Sequence, residues 1–308
     1  MKRYLALRLM QGVIVIFLVS IGTFAMMHII PGDPVSLLIG EARISQEQID
    51  LIRKKWGLDR PLHEQYLTWI ANMLRGDFGQ SVVRSGTPVR NMIIEAGAVT
   101  ATLNVVAFAI SVALAVPLGI IAAVRRYSGF DYAIMVATTL GVALPNFWVG
   151  LMLIVIFSLV FRLLPTFGLP SWKGYVLPVA VVVSSQLALL ARIMRSSVID
   201  QMGEDFVRTA RAKGQQEKLV VARHVVRNAL LPVITVIGYR LAFILSGTIV
   251  IETVFALPGL GQLFVDSVNR VDYQVVQAIV MVLSILVVLG NLATDLVYGF
   301  IDPRIRIR

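Results

Sequence analysis

Six stretches of this chain are long and apolar enough to cross a lipid bilayer, and that property restricts the fold more than any other. A spanning helix needs about 20 mostly apolar residues at about 1.5 Å rise per residue. The segments near 9–30, 98–124, 132–161, 175–194, 230–252 and 275–300 meet that requirement. The composition agrees, with 57% hydrophobic and only 15% charged residues among 308, more apolar surface than a soluble fold of this length could bury. The fold class read from these runs is an all-α polytopic membrane protein. The first run follows Lys2, Arg3 and Arg8 as a signal peptide would. Its length, and the lack of a small-x-small cleavage pattern after it, favour a retained anchor.

Orientation follows from the basic residues, because Lys and Arg in short segments near a span stay on the cytoplasmic side. With the N-terminus inside, the inside segments 1–8, 125–131, 192–229 and 301–308 carry sixteen Lys/Arg. The outside segments carry eleven, eight of them in the long 31–97 region, where eight Asp/Glu offset them. Both termini are therefore expected inside. The net charge of +10 is accounted for by topology, which removes the reason to invoke nucleic acid.

Segment 31–97 is polar enough to form a small extracytoplasmic helical insertion. Ser45-Gln46-Glu47-Gln48 reads as a capping box opening a helix that stops near Gly57. Pro61 opens another helix, with Leu62, Tyr66, Trp69, Ile70 and Met73 at helical spacing. Two roles stay open for this insertion, a lid over the outer mouth and a docking surface for a partner protein.

Several chemistries find no support. The sequence has no cysteine and no G-x-x-x-x-G-K-[ST] phosphate loop, so thiol chemistry and nucleotide binding through that loop are not expected. His28, His63 and His224 lie far apart without metal-ligand spacing. No catalytic, cofactor-binding or metal residues are expected.

The informative polar region is 195–231. A helix through Phe206, Val207, Arg208, Thr209, Ala210 and Arg211 is expected to end near Lys213 and turn at Gly214, where glycine tolerates a left-handed cap. A second helix is expected from Glu217 to about Asn228, making a hairpin over 204–227 that projects into the cytoplasm. Val207, Ala210 and Phe206 would give it a small apolar face among basic residues. That face suits either a groove in another protein or, with its basic neighbours, anionic lipid headgroups.

Beyond the hairpin, Arg240 is the one charge clearly central in a span. It is either a snorkelling or ion-paired structural residue or a residue lining a pathway. Pro117 and Pro145 read as packing kinks. Glu252, Pro258, Gly259 and Gly261 mark an irregular turn near the outer face, because Pro258-Gly259-Leu260-Gly261 cannot readily continue a helix while Leu257, Leu260, Leu263 and Phe264 are too apolar for water.

An ordered set of short strings adds a resemblance that covers nearly the whole chain. It comprises Pro31-Gly32-Asp33-Pro34, Gly57-Leu58-Asp59-Arg60-Pro61-Leu62, Gly76-Asp77-Phe78-Gly79-Gln80-Ser81 and Arg208-Thr209-Ala210-Arg211-Ala212-Lys213-Gly214. It continues with Arg227-Asn228-Ala229-Leu230-Leu231-Pro232, Glu252-Thr253-Val254-Phe255 with Pro258-Gly259-Leu260-Gly261, and Asp302-Pro303-Arg304-Ile305-Arg306. Together these resemble the permeases of binding-protein-dependent ABC transporters of the dipeptide, oligopeptide, glutathione and nickel group. The resemblance implies a six-span type I importer permease, with a core over 98–301, a segment 1–97 holding the first span and the insertion, and a cytoplasmic tail at 302–308. It also implies a second, similar permease subunit, two cytoplasmic ATPases that use the ATP, and an extracytoplasmic solute-binding protein. The segment 206–214 would be the ATPase-coupling element. Arg208-Thr209-Ala210 stands where the broader importer pattern has Glu-Ala-Ala, and Pro232 falls 18 residues after Gly214, further than that pattern places it. The rival function is a secondary transporter or channel that works without an ATPase.

Overall fold

The computed structural model describes residues 2–29, 47, 54, 59–84, 86–242 and 248–301. The capping box at Ser45, the stop near Gly57, Pro31-Gly32-Asp33-Pro34 and the terminal Asp302 to Arg306 lie outside the described residues. Along the chain the helices are α1 Lys2–Ile29, α2 Leu62–Leu74, α3 Val89–Val124, α4 Gly129–Ala143 and α5 Asn146–Leu153, the last continued by a π-helical stretch Ile154–Val160. They continue with α6 Val176–Met202, α7 Asp205–Ala212, α8 Glu217–Val220, a π-helical turn Val221–Val225 and α9 Val226–Ala242. Last come α10 Ile249–Val254, α11 Leu260–Asn269 and α12 Tyr273–Ile301.

Among the described residues, five unbroken stretches are long and apolar enough to cross a membrane, at Ala6–Met26, Val89–Val124, Trp172–Met202, Glu217–Leu241 and Tyr273–Asp295. The expected third span is different. Gly129–Ala143 and Asn146–Val160 meet at a bend of 106°, so the segment is a sharply bent helix pair rather than one straight helix. Its break has a local cause. Pro145 removes the backbone donor that would carry α4 onward and starts α5 instead, at φ −61° and ψ 134°. Pro117, by contrast, lies inside α3, where neighbouring helices make such a residue tolerable in a membrane.

The chain divides into two compact units. The first comprises 1–98 and 259–292, the second 99–258 and 293–308. In the first unit α1 and α12 run antiparallel: a Cβ placed on Gly12 would stand 2.7 Å from Val288, and eleven residues later Gln277 donates to the Thr23 carbonyl at 3.4 Å. The core of this unit joins Val89, Met92, Ile93 and Ala96 of α3 to Leu260 and Leu263 of α11 and Val275, Ala278 and Ile279 of α12. Asp272 pins the strand-like turn before α3, accepting from the Ser81 hydroxyl and from the Val82 and Val83 amides at 3.3 and 3.4 Å.

In the second unit α6 is the central post. At one level Ala115 and Ala123 of α3 pack with Leu190, Ala191, Met194 and Val198 of α6. At the other, Leu103 and Ala107 pack with Leu177, Val181, Ile251, Phe255 and Leu257. α4 lies close along α6, since a Cβ on Gly141 would come within 2.9 Å of the Ser184 carbonyl oxygen. Small residues at such contacts let helices approach without a driving force from water.

Candidate functional site

The segment Glu204 to Asn228 is built from two short helices and one turn. α7 begins after Glu204 with Asp205 in its first turn, where a negative charge suits the helix dipole. It ends in a Schellman arrangement: the Gly214 amide donates to the Arg211 carbonyl at 2.9 Å and the Gln215 amide to the Ala210 carbonyl at 3.4 Å. Gly214 sits at φ +77° and a Cβ there would meet nothing within 4 Å. The need for glycine is therefore conformational, not steric. Arg211 forks onto Glu217 across the turn, at 3.0 Å from Nε and 2.7 Å from a terminal nitrogen. That bond holds the Arg211 guanidinium above its ordinary pKa, and His224 meets Gln215 at 3.1 Å.

Two expectations change here. The second helix does not stop near Asn228, since α8 runs through the π-helical turn into α9 as one span, Glu217–Leu241. The backbone from α8 onward is thus rigidly tied to a membrane helix. Nor does the apolar face of α7 point outward. Val207 and Ala210 are buried in the chain's own core beside Met194, Val198, Val220 and Val225. Those partners come from the end of α6 and the start of the next span, and together they hold α7 against both. What α7 presents to the surroundings is Phe206, Arg208, Thr209, Arg211, Ala212 and Lys213. Arg208 approaches Asp205 at 3.5 Å, with both side chains largely in solvent.

The other candidate residues are not gathered at this surface. Arg240 is exposed near the end of α9, and no described carboxylate stands within ion-pair distance of it. Glu252 is fully buried on α10. Its Oε1 accepts from the hydroxyls of Thr100 and Thr248, each at 2.8 Å, and Asn104 donates to the Thr248 hydroxyl at 3.1 Å. After it the chain turns. The Leu257 amide donates to the Glu252 carbonyl at 2.8 Å, Ala256 takes φ +46°, and α11 starts after Gly259. Leu257, Leu260, Gly261 and Leu263 are buried and Pro258 is exposed. The break is therefore real, and its leucines pack inside their own units.

An ion pair that sequence reasoning missed lies at the start of the bent helix pair. Arg195 of α6 donates from two nitrogens to the two carboxylate oxygens of Asp131 on α4, at 2.6 and 2.7 Å, and the Tyr127 amide reaches the same carboxylate at 3.0 Å. Asp131 is buried. Met194 and Val198, on the neighbouring turn of α6, carry α7. The helix under the exposed basic segment is thus fastened, through its next residue, to α4. No signal in the sequence marks this pair, since 64 residues separate its members.

Several helices long and apolar enough to cross a membrane, a sharply bent helix pair and a short polar helix locked onto two of the long helices are the parts of a multi-pass membrane subunit. The chain matches the family described as binding-protein-dependent transport system inner membrane component over residues 115–307, and the N-terminal model of such membrane components over 1–115. It belongs to that family. It is 38% identical over 99% of both chains to the oligopeptide transport system permease protein AppB of Bacillus subtilis. It is 40% identical over 99% of both chains to the glutathione transport system permease protein GsiC of Escherichia coli K12. Among solved structures it resembles an amino acid ABC transporter chain crystallised with histidines, at TM-score 0.53 and 14% identity, over 67% of this chain and 92% of that one. This last likeness speaks to the fold alone, and the fold it supports is that of an ABC transporter permease.

Proposed function

We propose that this chain is the membrane-spanning permease of an ATP-driven importer for peptides or peptide-like small solutes, delivered by an extracytoplasmic solute-binding protein. It works beside a second, similar permease subunit, and two cytoplasmic ATPases bind and hydrolyse the ATP. Relatives named for oligopeptide and glutathione transport support the substrate class.

The observation that carries the coupling role is the mounting of α7. Its inner residues, Val207 and Ala210, are fixed into the core, while Phe206, Arg208, Thr209 and Arg211 face outward on a rigid base. A helix held this way transmits displacement, whereas a free loop would absorb it. Closure of the ATPases around ATP would press on that outer face, tilt the end of α6 and, through Arg195 and Asp131, carry α4 with it. Gly214 sets the turn between α7 and the following span. Glu252 and the turn through Pro258, Gly259 and Gly261 act near the outer mouth. Both termini and α7 lie on the cytoplasmic side of an inner membrane. Support for equal sides comes from the antiparallel α1 and α12.

The test is uptake by proteoliposomes holding the permease pair, the ATPases and the binding protein. Labelled peptide or glutathione should enter only with ATP and binding protein, and collapsing ion gradients with ionophores should leave uptake intact. Uptake that follows the ion gradient without ATP would mean a secondary transporter.

A further inference from the structure

α2 sits against α1 at a depth that belongs to the membrane. The Tyr66 hydroxyl and the Ser20 hydroxyl are 2.7 Å apart, and Phe24 lies 5.4 Å from the Tyr66 ring and 6.0 Å from the Trp69 ring, centroid to centroid. The apolar span of α1 runs Ala6–Met26, so Ser20 is six residues inside its far end, about 9 Å at 1.5 Å per residue. α2 therefore touches α1 where the acyl chains meet the headgroups, the level at which Tyr and Trp gather.

At 100° per residue the surface of α2 divides into three strips. Tyr66, Trp69 and Met73 form one and are partly buried, Met73 against the core of the first unit. Glu64, Thr68 and Asn72 form a polar strip. Between them on the other side lie Leu67, Ala71 and Leu74, with Leu67 60% and Leu74 84% exposed, and the exposed His63 stands at the first-turn end of the same strip. A soluble helix has two faces, one for the core and one for water. A third, apolar and exposed, needs a third solvent.

We propose that α2 is an interfacial helix, with the Leu67, Ala71 and Leu74 strip immersed in the lipid leaflet at the Met26 end of α1 and the Glu64, Thr68 strip in water. Lipid is the occupant because α2 is held to α1 at Ser20 and Phe24, inside the apolar span Ala6–Met26, where Leu18, Ile21 and Met26 of the same span are themselves exposed. The charges around it, Arg60 and Arg75 against Asp59, Glu64 and Asp77, do not favour one sign. Attraction to anionic lipid is thus not the driving term, and zwitterionic lipid suffices. The insertion is thereby fastened to the bilayer rather than held over the protein as a free lid.

The chain has no cysteine, so single spin labels are straightforward. Full-length Leu67→Cys, Leu74→Cys, Glu64→Cys and Thr68→Cys variants are labelled and reconstituted in phosphatidylcholine and phosphatidylethanolamine vesicles. Their collision rates are then read with oxygen, which concentrates in lipid, and with a water-soluble nickel chelate. The labels at 67 and 74 should be open to oxygen and shielded from nickel, and those at 64 and 68 the reverse. Nickel access at 67 and 74 equal to that at 68 would overturn the proposal. So would labels at 67 and 74 that stay open to nickel until the binding protein is added and are then shielded from both reagents, which would make the strip a protein-docking surface.

Discussion

Asp131 and Arg195 carry the clearest consequences of any single residues. The Asp131 side chain is 3% exposed and that of Arg195 21%, and breaking such a buried pair from one side commonly costs about 3–5 kcal/mol because a charge is left without its partner. Asp131→Ala should therefore lower the thermal stability of the purified permease sharply, while Asp131→Asn, which keeps an acceptor for the Tyr127 amide, should lose less. The reciprocal exchange of Asp131→Arg with Arg195→Asp should recover part of the loss, and a double-mutant cycle on melting temperatures measures that coupling. At Gly214 the expected defect is different in kind. Open space around its Cα removes steric objection, so Gly214→Val should suffer from left-handed strain of about 1–2 kcal/mol, and Gly214→Asn less. The measurement is solute moved per ATP hydrolysed, which should fall for valine while ATPase activity and insertion survive. Equal ratios in both variants would remove the turn from the coupling path. Gly214 was legible in the sequence because a glycine ending a polar helix has few other uses. The ion pair was not legible, because its geometry exists only once α4 has packed on α6.

At the scale of elements, periodicity disclosed that α7 has an apolar side but not what covers it. Val207 and Ala210 could fill a partner's groove or their own chain's core with the same spacing, and the outcome depends on how the ends of α6 and the next span converge. The consequence can be measured. Ala210→Leu should overpack a site with no room, at about 1–3 kcal/mol, and lower stability in the isolated permease. Phe206→Ala, at a half-open position, should leave stability nearly unchanged and weaken ATPase binding instead. Cysteines placed at Phe206 or Thr209 should cross-link to a co-expressed ATPase, and one at Ala210 should not. Cross-linking strongest at Ala210 would mean that α7 leaves the core in the assembled complex. Likewise Pro145 announced a disturbance in the third span, but a proline alone does not distinguish a mild kink from a bend of 106°. The packing of Gly150 against Phe255, at 3.1 Å from a notional Cβ, helps to fix the direction α5 takes.

Over the whole molecule, membrane solvation makes the number of crossings nearly a property of composition, which is why the spans were readable and the interior contacts were not. Orientation is a separate matter, since packing is the same whichever way the protein is inserted. It rests on the bias of sixteen basic residues in the inside segments, counted over short loops where the rule is strongest. The proposed coupling requires the same answer independently: an ATPase can press on α7 only if α7 lies in the cytoplasm, the side that the eight basic residues of 192–229 favour. With no native cysteine to interfere, one cysteine at Gln80 and another at Lys213, both exposed, allow a direct reading. An impermeant maleimide added to intact cells with a permeable outer envelope should label Gln80→Cys at once and Lys213→Cys only after the membrane is opened. Labelling of Lys213→Cys in intact cells would place α7 outside and remove the ATPase contact altogether, while leaving the helical packing described above untouched. Labelling of neither before opening and both after would put 80 and 213 on one side, a result that the two unbroken spans between them, Val89–Val124 and Trp172–Met202, could satisfy only if the bent segment between those two, Gly129–Val160, failed to cross the bilayer. The two cysteines thus test the orientation of the chain and the crossing of its broken third span in one experiment.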